Sequence, residues 1–351
     1  MATGYLQITP FDGLFFGKGR PFSIGDESWT EAELLPPPGV VWGALFSQLW
    51  YRDNNTPLDA LKIGRIMLLG ENVTQCYLPA PLDIFIEDEV RRHHHNFYWQ
   101  DDHGFLTKRE EQNVLLKPLT DEKVELPEGY LLSVGSLEAY MGAHEDFNTL
   151  ELSNVQEIVG QEFKIGIGRD AHRRTAEEGK LYTVHFSHLQ PGYCLLVEAE
   201  YPDDYPDSGI LKLGGEGKMA HFEKVEAQTA ADVKAVLAPR LPEGKSDFFK
   251  LYLTSPAYLD KQGHPVFLGN KPFRVEGGVT GKPYLLGGFD YKQRRPKPMH
   301  YVAPAGSVYI LEYKGNAGPI STQQAQSELG YGEYSRGYNQ FEIIPYYGDK
   351  G

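Results

Sequence analysis

The period of the apolar pattern changes within the first fifty residues. Tyr5–Ile8 alternates apolar and polar side chains and stops at Pro10, which predicts a short strand. Val40–Tyr51 repeats at three to four residues instead. Val41, Leu45 and Leu49 form one stripe and Trp42, Phe46 and Trp50 its neighbour, so the predicted helix buries much of its circumference. The run Pro36-Pro37-Pro38 marks its start. Strands are predicted at Arg65–Leu69 and Thr74–Leu78, and a β-hairpin at Leu181–Leu189 and Tyr193–Tyr201 around Gln190-Pro191-Gly192. Asn154–Gly160 and Thr229–Leu237 read as short helices, and Asp83–Asp121 as a polar, irregular loop.

After a linker at Pro239–Ser246 the order restarts. Phe248–Thr254 (FFKLYLT) stands where Tyr5–Ile8 stands in the first half. Tyr284–Asp290 and Ser307–Tyr313 read as strands, Thr322–Leu329 as a short helix and Gln340–Pro345 as a last strand. Each half closes through a similar glycine loop, LGGEGKMAHFE at Leu213–Glu223 and LGYGEYSRGYNQFE at Leu329–Glu342. Gly214, Gly215 and Gly217 in the first, and Gly330, Gly332 and Gly337 in the second, permit positive φ and close backbone approach. One such loop is an ordinary bulge or turn before a strand. Two in equivalent places indicate one unit used twice.

The order suits a split βαβ unit repeated once. The expected fold class is α+β: tandem ferredoxin-like (RRM-like) domains with glycine-rich loops and insertions, over residues 1–235 and 247–351. The second half lacks a strong amphipathic run between 255 and 283, so its first helix is the weak point. Helices on one face of such a sheet are expected to leave the other face free, the face that related folds offer to RNA.

Charge refines this picture. The net charge of −14 argues against gripping nucleic acid by overall charge. Ten acidic residues against Lys123 alone fill Asp121–Glu162, either a solvated face or a docking surface for a basic partner. Other stretches are locally basic: Lys164–Lys180 carries five Lys and Arg against three acids, and Tyr291–Tyr301 carries no acid at all. Lys18, Arg20, Arg169, Arg173, Arg174, Lys218, Arg294, Arg295 and Arg336 each stand in or beside a Gly- or Pro-rich loop with aromatics nearby. Guanidinium groups match phosphate oxygens, and Phe or Tyr stacks on unpaired bases. A single arginine is as readily explained by one of the 48 acidic residues; the set favours RNA.

The remaining constellations point away from catalysis. His93-His94-His95 cannot all converge on a metal from an extended chain, and His185 and His188 fall on opposite faces of a strand. Cys76 and Cys194 are too few for a disulfide framework or a cysteine-built zinc site. Lys212 and Met219 break a phosphate-loop pattern around Lys218, and GIG at 166–168 is too short for a dinucleotide fingerprint. No cofactor or metal is expected. Nothing resembles a signal peptide and no apolar run approaches a membrane span, so a cytoplasmic, reduced setting without membrane is expected.

Several motifs taken together resemble one family. FDGLFFGKGRPF with LLPPPGVVWGAL, IGIGRDAHRRTAEEGKLYTVHFSHL, LGGEGKMAHFE, GGFDYKQRRPKP with VAPAGSVYIL, and LGYGEYSRGYNQFE run in order from Pro10 to Phe341. They resemble the third subunit of the Cmr (type III-B CRISPR) effector complex, in the RAMP superfamily. The resemblance implies two ferredoxin-like folds and a non-catalytic, antiviral subunit that holds the 5′ tag of the CRISPR RNA. It also implies that the subunit bridges the large polymerase-like Cmr subunit to the backbone RAMP subunits. Residues 83–125 do not align, and the related type III-A subunit shares the architecture. One rival is a RAMP endoribonuclease that processes precursor RNA, but its first-helix histidine has no counterpart in Val40–Tyr51. The other is a carbohydrate-binding β protein, suggested by 13% aromatics and opposed by the basic loops.

Overall fold

Strand β1 (Ala2–Pro10) buries Leu6 and Ile8 on one face and Tyr5 on the other, and this two-sidedness sets the architecture. The computed structural model describes residues 1–17, 29–30, 35–88, 91–94, 96–100, 113–117, 126–141, 150–169, 173, 175–238, 244–290, 293, 295–316, 318–330 and 335–346. The first half contributes β2 (Lys62–Leu69), β3 (Cys76–Pro79), β4 (Tyr130–Ser133), β5 (Leu152–Asn154), β6 (Val159–Arg169), β7 (Ala176–Leu189), β8 (Cys194–Tyr201), β9 (Ser208–Lys212) and β10 (Met219–Lys224). Eight strands form one antiparallel sheet in the order β5-β4-β3-β2-β8-β1-β10-β9. β6 and β7 make a separate long ribbon, joined by the short strand Trp29–Thr30.

The second half builds a four-stranded antiparallel sheet from β11 (Phe248–Leu253), β12 (Phe273–Val279), β13 (Val308–Tyr313) and β14 (Phe341–Pro345), ordered β12-β13-β11-β14. The centre of the first sheet, β2-β8-β1-β10, has the same arrangement when each set of four is counted in chain order: second, third, first and last. No described sheet mixes strands from the two halves, and an isolated bridge joins Ile63 to Arg336.

Helix α1 (Pro38–Trp50) packs Val41, Leu45 and Leu49 onto Leu6, Ile8, Leu195 and Val197, which lie on the outer face of the first sheet. Helix α2 (Ala227–Val236) inserts Val233 between the halves. Helix α3 (Thr322–Leu329) covers the outer face of the second sheet with Ala325 and Leu329 against Phe249, Leu251 and Ile343. A Ser321–Gln324 capping box starts α3, and Gly330, at φ +82°, ends it.

The inner faces meet each other. Tyr5, Met67, Leu69, Cys194 and Leu196 pack with Tyr252, Val308, Ile310 and Ile344 in one buried cluster. The expected free face is therefore absent from the centre of both sheets. The physical reason is that these strands carry apolar side chains on both sides, and burying the second set is worth about 1.5–3 kcal/mol per large residue. Polar groups trapped there are paired. Arg65 donates to Glu198 at 2.8 Å and to Glu342 of the other half at 2.6 Å, with side-chain exposures of 13%, 4% and 1%. Lys250 pairs with Asp83 at 2.7 Å, Tyr140 donates to the same carboxylate at 2.8 Å, and the Tyr252 hydroxyl donates to the Pro79 carbonyl.

The hairpin expected at Leu181–Leu189 and Tyr193–Tyr201 does not form: both strands are present, but β7 pairs with β6 whereas β8 lies between β1 and β2 in the main sheet. Other departures are local. Asp83–Asp121, read as irregular, contains the hairpin Ile84–Asp88 with Arg91–His94 and the strand Asn96–Gln100, which pairs with Asn113–Lys117. The helix expected at Asn154–Gly160 is one turn, Val155–Ile158, capped by the Asn154 side chain. Between 255 and 283 the only helical element among the described residues is the short 3-10 turn Val266–Leu268, in line with the lack of an amphipathic run there. No helix among the described residues is long and apolar enough to cross a membrane.

Candidate nucleic-acid interface

Each glycine loop precedes the last strand of its sheet and folds back on the chain leaving the first strand. In the first loop the Leu213 N–H donates to Lys218 O at 3.0 Å, and the Lys218 N–H to Gly215 O at 3.2 Å. Gly214 has φ +80°, and a Cβ there would lie 2.5 Å from the Phe15 carbonyl oxygen. That oxygen accepts the Gly215 N–H at 2.9 Å, so the glycines admit the Phe11–Gly17 strap. Asp12 on the strap pairs with Lys218 at 2.5 Å, and the ammonium lies 4.7 Å from the centre of the Phe186 ring. The Lys218 hydrogen bond holds the Asp12 carboxyl below its usual range.

The second loop reaches into the other half. The Ile63 N–H donates to Ser335 O at 2.8 Å, and Ile63 O accepts the N–H groups of Ser335 at 3.2 Å and Gly337 at 3.0 Å. The Tyr338 hydroxyl accepts the Gly39 N–H at 3.0 Å, within the first turn of α1. Arg336 is thereby laid over Trp42, its guanidinium carbon 4.4 Å from the ring centre. Trp42 stacks in turn on Phe46 at 4.8 Å and donates its indole N–H to Leu61 O at 2.9 Å. Arg336 is partly exposed, and among the described residues no carboxylate pairs with it. A planar guanidinium held over indole can keep its outer N–H groups available to a ligand, a geometry suited to phosphate.

Gly337, at φ +78°, is the seat of this loop: a Cβ would lie 2.8 Å from Pro38 Cβ and 3.2 Å from Ile63 Cδ1. Gly337→Ala is expected to destabilise the chain by about 2 kcal/mol, from the left-handed backbone and the overpacking together. Chemical denaturation would check this; an unchanged midpoint would show that the loop does not seat here.

Beside Arg336, Tyr258 lies 5.0 Å from the Tyr338 ring and 5.6 Å from the His300 ring. Burial pushes both phenols up. Tyr258 belongs to a small sheet in which His300–Ala303 pairs with Ala257–Tyr258 on one side and Tyr284–Leu286 on the other.

The sequence-derived basic residues are thus distributed over several places. Lys218 is engaged by Asp12, whereas Arg336 stacks on Trp42. Arg173 is exposed at the turn between β6 and β7, and Arg295 is exposed in a two-strand turn opposite Asp290. Arg169 closes β6, with its side chain outside the described residues. Lys18, Arg20, Arg174, Arg294 and Gly332 also lie outside them. The sequence pattern marks Trp42 as a core residue and His300 as one of the basic residues of Tyr291–Ala305, but carries no signal for Tyr258 or Tyr338, and the Arg336–Trp42 stack depends on the meeting of the two halves.

No nucleophile or metal cluster emerges among the described residues. Cys76 and Cys194 are buried, and desolvation pushes both thiols up to about 12. His185 lies 6.5 Å from the Phe163 ring, whereas His188 packs over Gly160, three positions and one sheet face away. Among the described residues no group of three His, Cys, Asp or Glu is placed to hold a metal.

A family model described as CRISPR-associated protein (Cas_Cmr3) matches residues 6–338, nearly the whole chain. The chain belongs to this family. The resemblance carried by the ordered motifs is thereby upheld, with the glycine loops and the Arg336 stack lying inside or at the edge of the matched region. Among solved structures, one chain of a Type III-B Cmr-beta assembly bound to cognate target RNA aligns with a TM-score of 0.53 at 16% identity. The alignment covers 96% of each chain. A second chain, from the same assembly with target RNA and AMPPnP, aligns at 0.52 and 14% identity, over 96% of this chain and 95% of that one. At such identities the likeness concerns the sheet-rich mixed α/β fold. No curated protein matches the chain.

Proposed function

We propose that this Cas_Cmr3 family member is a non-catalytic subunit of a type III-B CRISPR RNA-guided effector complex that holds the 5′ tag of the CRISPR RNA. In this reading it bridges the large polymerase-like subunit to the backbone RAMP subunits, and its halves, 1–235 and 247–351, are two ferredoxin-like units. Family membership and the fold shared with chains of RNA-bound Cmr assemblies support the assignment. The repeated strand order β2-β8-β1-β10 and β12-β13-β11-β14 supports the duplication. The first half keeps its first helix, α1, and has strand β9 where the second would stand; among the described residues the second half has only α3, in the place of its second helix.

The single observation that carries RNA binding is Arg336, partly exposed, stacked on Trp42 and held by a backbone ladder to Ile63. With the sheet centres packed together, the loops at the strand ends remain as the surfaces for an RNA strand. Purification of the assembly through a tag on this chain, followed by sequencing of its RNA, tests the reading. A uniform 5′ tag is expected. Absence of both RNA and RAMP partners would refute it.

A further inference from the structure

The small sheet of the second half has an outer face that the glycine loops do not use. Leu285 and Tyr301 are directly opposite in register and are 42% and 60% exposed. Met299, two residues before Tyr301 and 39% exposed, lies against Gly287, where a Cβ would meet its sulfur at 2.2 Å. The glycine makes a notch in which the thioether rests. The stem of Lys297 then passes Gly288, and the Lys297 N–H donates to Gly288 O at 2.9 Å. Along one edge the chain thus presents an aromatic ring, a thioether and an ammonium in sequence.

Large apolar side chains side by side on a surface mark a contact site, and neighbouring charge decides its partner. Arg295, Lys297 and Lys282 are exposed, and among the described residues no carboxylate forms an ion pair with them. Asp290 stands opposite Arg295 in register, and no acid occurs from Tyr291 to Tyr301. An exposed ring inside a positive field fits an unpaired nucleotide, whose base stacks while its phosphate meets the cations. A protein partner would have to bring its own acidic rim.

We propose that Tyr301, flanked by Leu285 and Met299 and backed by Lys297, is a base-stacking platform for single-stranded RNA, separate from the Arg336 site. This rests on the reading of the chain as an RNA-holding subunit. The platform lies on the face of its sheet opposite His300, so one strand has two addresses for RNA, His300 toward Tyr258 and Tyr301 outward.

The test uses the assembly purified through this chain, irradiated at 254 nm and digested for sequencing of nucleotide-bearing peptides. In parallel, a fluorescein-labelled 12-nucleotide oligouridine is titrated against the purified full chain by anisotropy. An adduct on the peptide containing Tyr301 is expected. Tyr301→Ala should weaken oligouridine binding about 5- to 150-fold, the range for removing one base stack, and Tyr301→Phe should restore it. Lys297→Glu should lower the log–log salt slope by about 0.7. Adducts confined to other peptides, with Tyr301→Ala folded and binding as wild type while Arg336→Glu loses RNA, would overturn the platform alone. An RNA-free assembly would overturn the platform and the functional reading together. Loss of a protein subunit on Tyr301→Ala with RNA adducts unchanged would overturn the platform in favour of a protein interface.

Discussion

Arg65→Ala is expected to lower the stability of the whole chain by about 3–5 kcal/mol, because it removes the guanidinium that two buried carboxylates share. Glu198 and Glu342 are 3% and 1% exposed and both depend on this guanidinium, although they come from sheets on opposite sides of the interface. The loss should appear as a shift of one unfolding transition, not as early melting of one half, since the cluster around Tyr252 and Met67 belongs to both. A triple replacement, Arg65→Met with Glu198→Gln and Glu342→Gln, removes the charges together and should recover much of the loss. Denaturant titration followed by tryptophan fluorescence measures both. A midpoint for Arg65→Ala within experimental error of wild type would mean that the network is not closed as the structure has it.

The second large effect concerns RNA. Arg336→Glu in the purified assembly should reduce retention of the 5′ tag by about 10- to 150-fold, the span of one charge-assisted hydrogen bond. Its log–log salt slope should fall by about 0.7 for each phosphate no longer neutralised. Arg336 is partly exposed and pairs with no carboxylate among the described residues, so folding should be little affected. Trp42→Phe should give an intermediate loss by weakening the stack. Paired reversals Arg173→Glu with Arg174→Glu, and Arg294→Glu with Arg295→Glu, show whether the other loops contribute to the same track. Full retention of the tag by folded Arg336→Glu with an unaltered slope would place the RNA elsewhere.

Much of this architecture was readable wherever the apolar period was clean. The stripes Val41/Leu45/Leu49 and Trp42/Phe46/Trp50 specified α1, and FFKLYLT and FEIIP specified the first and last strands of the second sheet. β12 was missed because Glu276, Gly277 and Gly278 interrupt its alternation, and the register slips there between Val275 and Gly277. β6 was read as a basic segment because Gly160, Gly166 and Gly168 dilute its apolar row. The expectation of a bare sheet face failed for a subtler reason. Lys250 and Glu342 look like solvent-facing positions, yet Asp83 and Arg65, far away in sequence, neutralise them inside. The available signal was the near-continuous apolar runs in CLLVEA, VYIL and FEIIP, which mark strands buried on both faces. For the interface, the basic loops were visible, but the Arg336–Trp42 stack joins residues that only the meeting of the two halves brings together.

The face-to-face packing also has a consequence for the newborn protein. The first sheet acquires its last strand when residue 224 has been made, but its inner face is covered by strands that end at Pro345. At about 5–20 residues per second, the ribosome takes roughly 6–25 s to supply that cover. Throughout this interval Tyr5, Met67, Leu69 and Leu196 have only part of their native packing, and Arg65 lacks its second carboxylate. A nascent chain in this state should be sticky until the final strand is released, and translation products truncated before Phe341 should stay so.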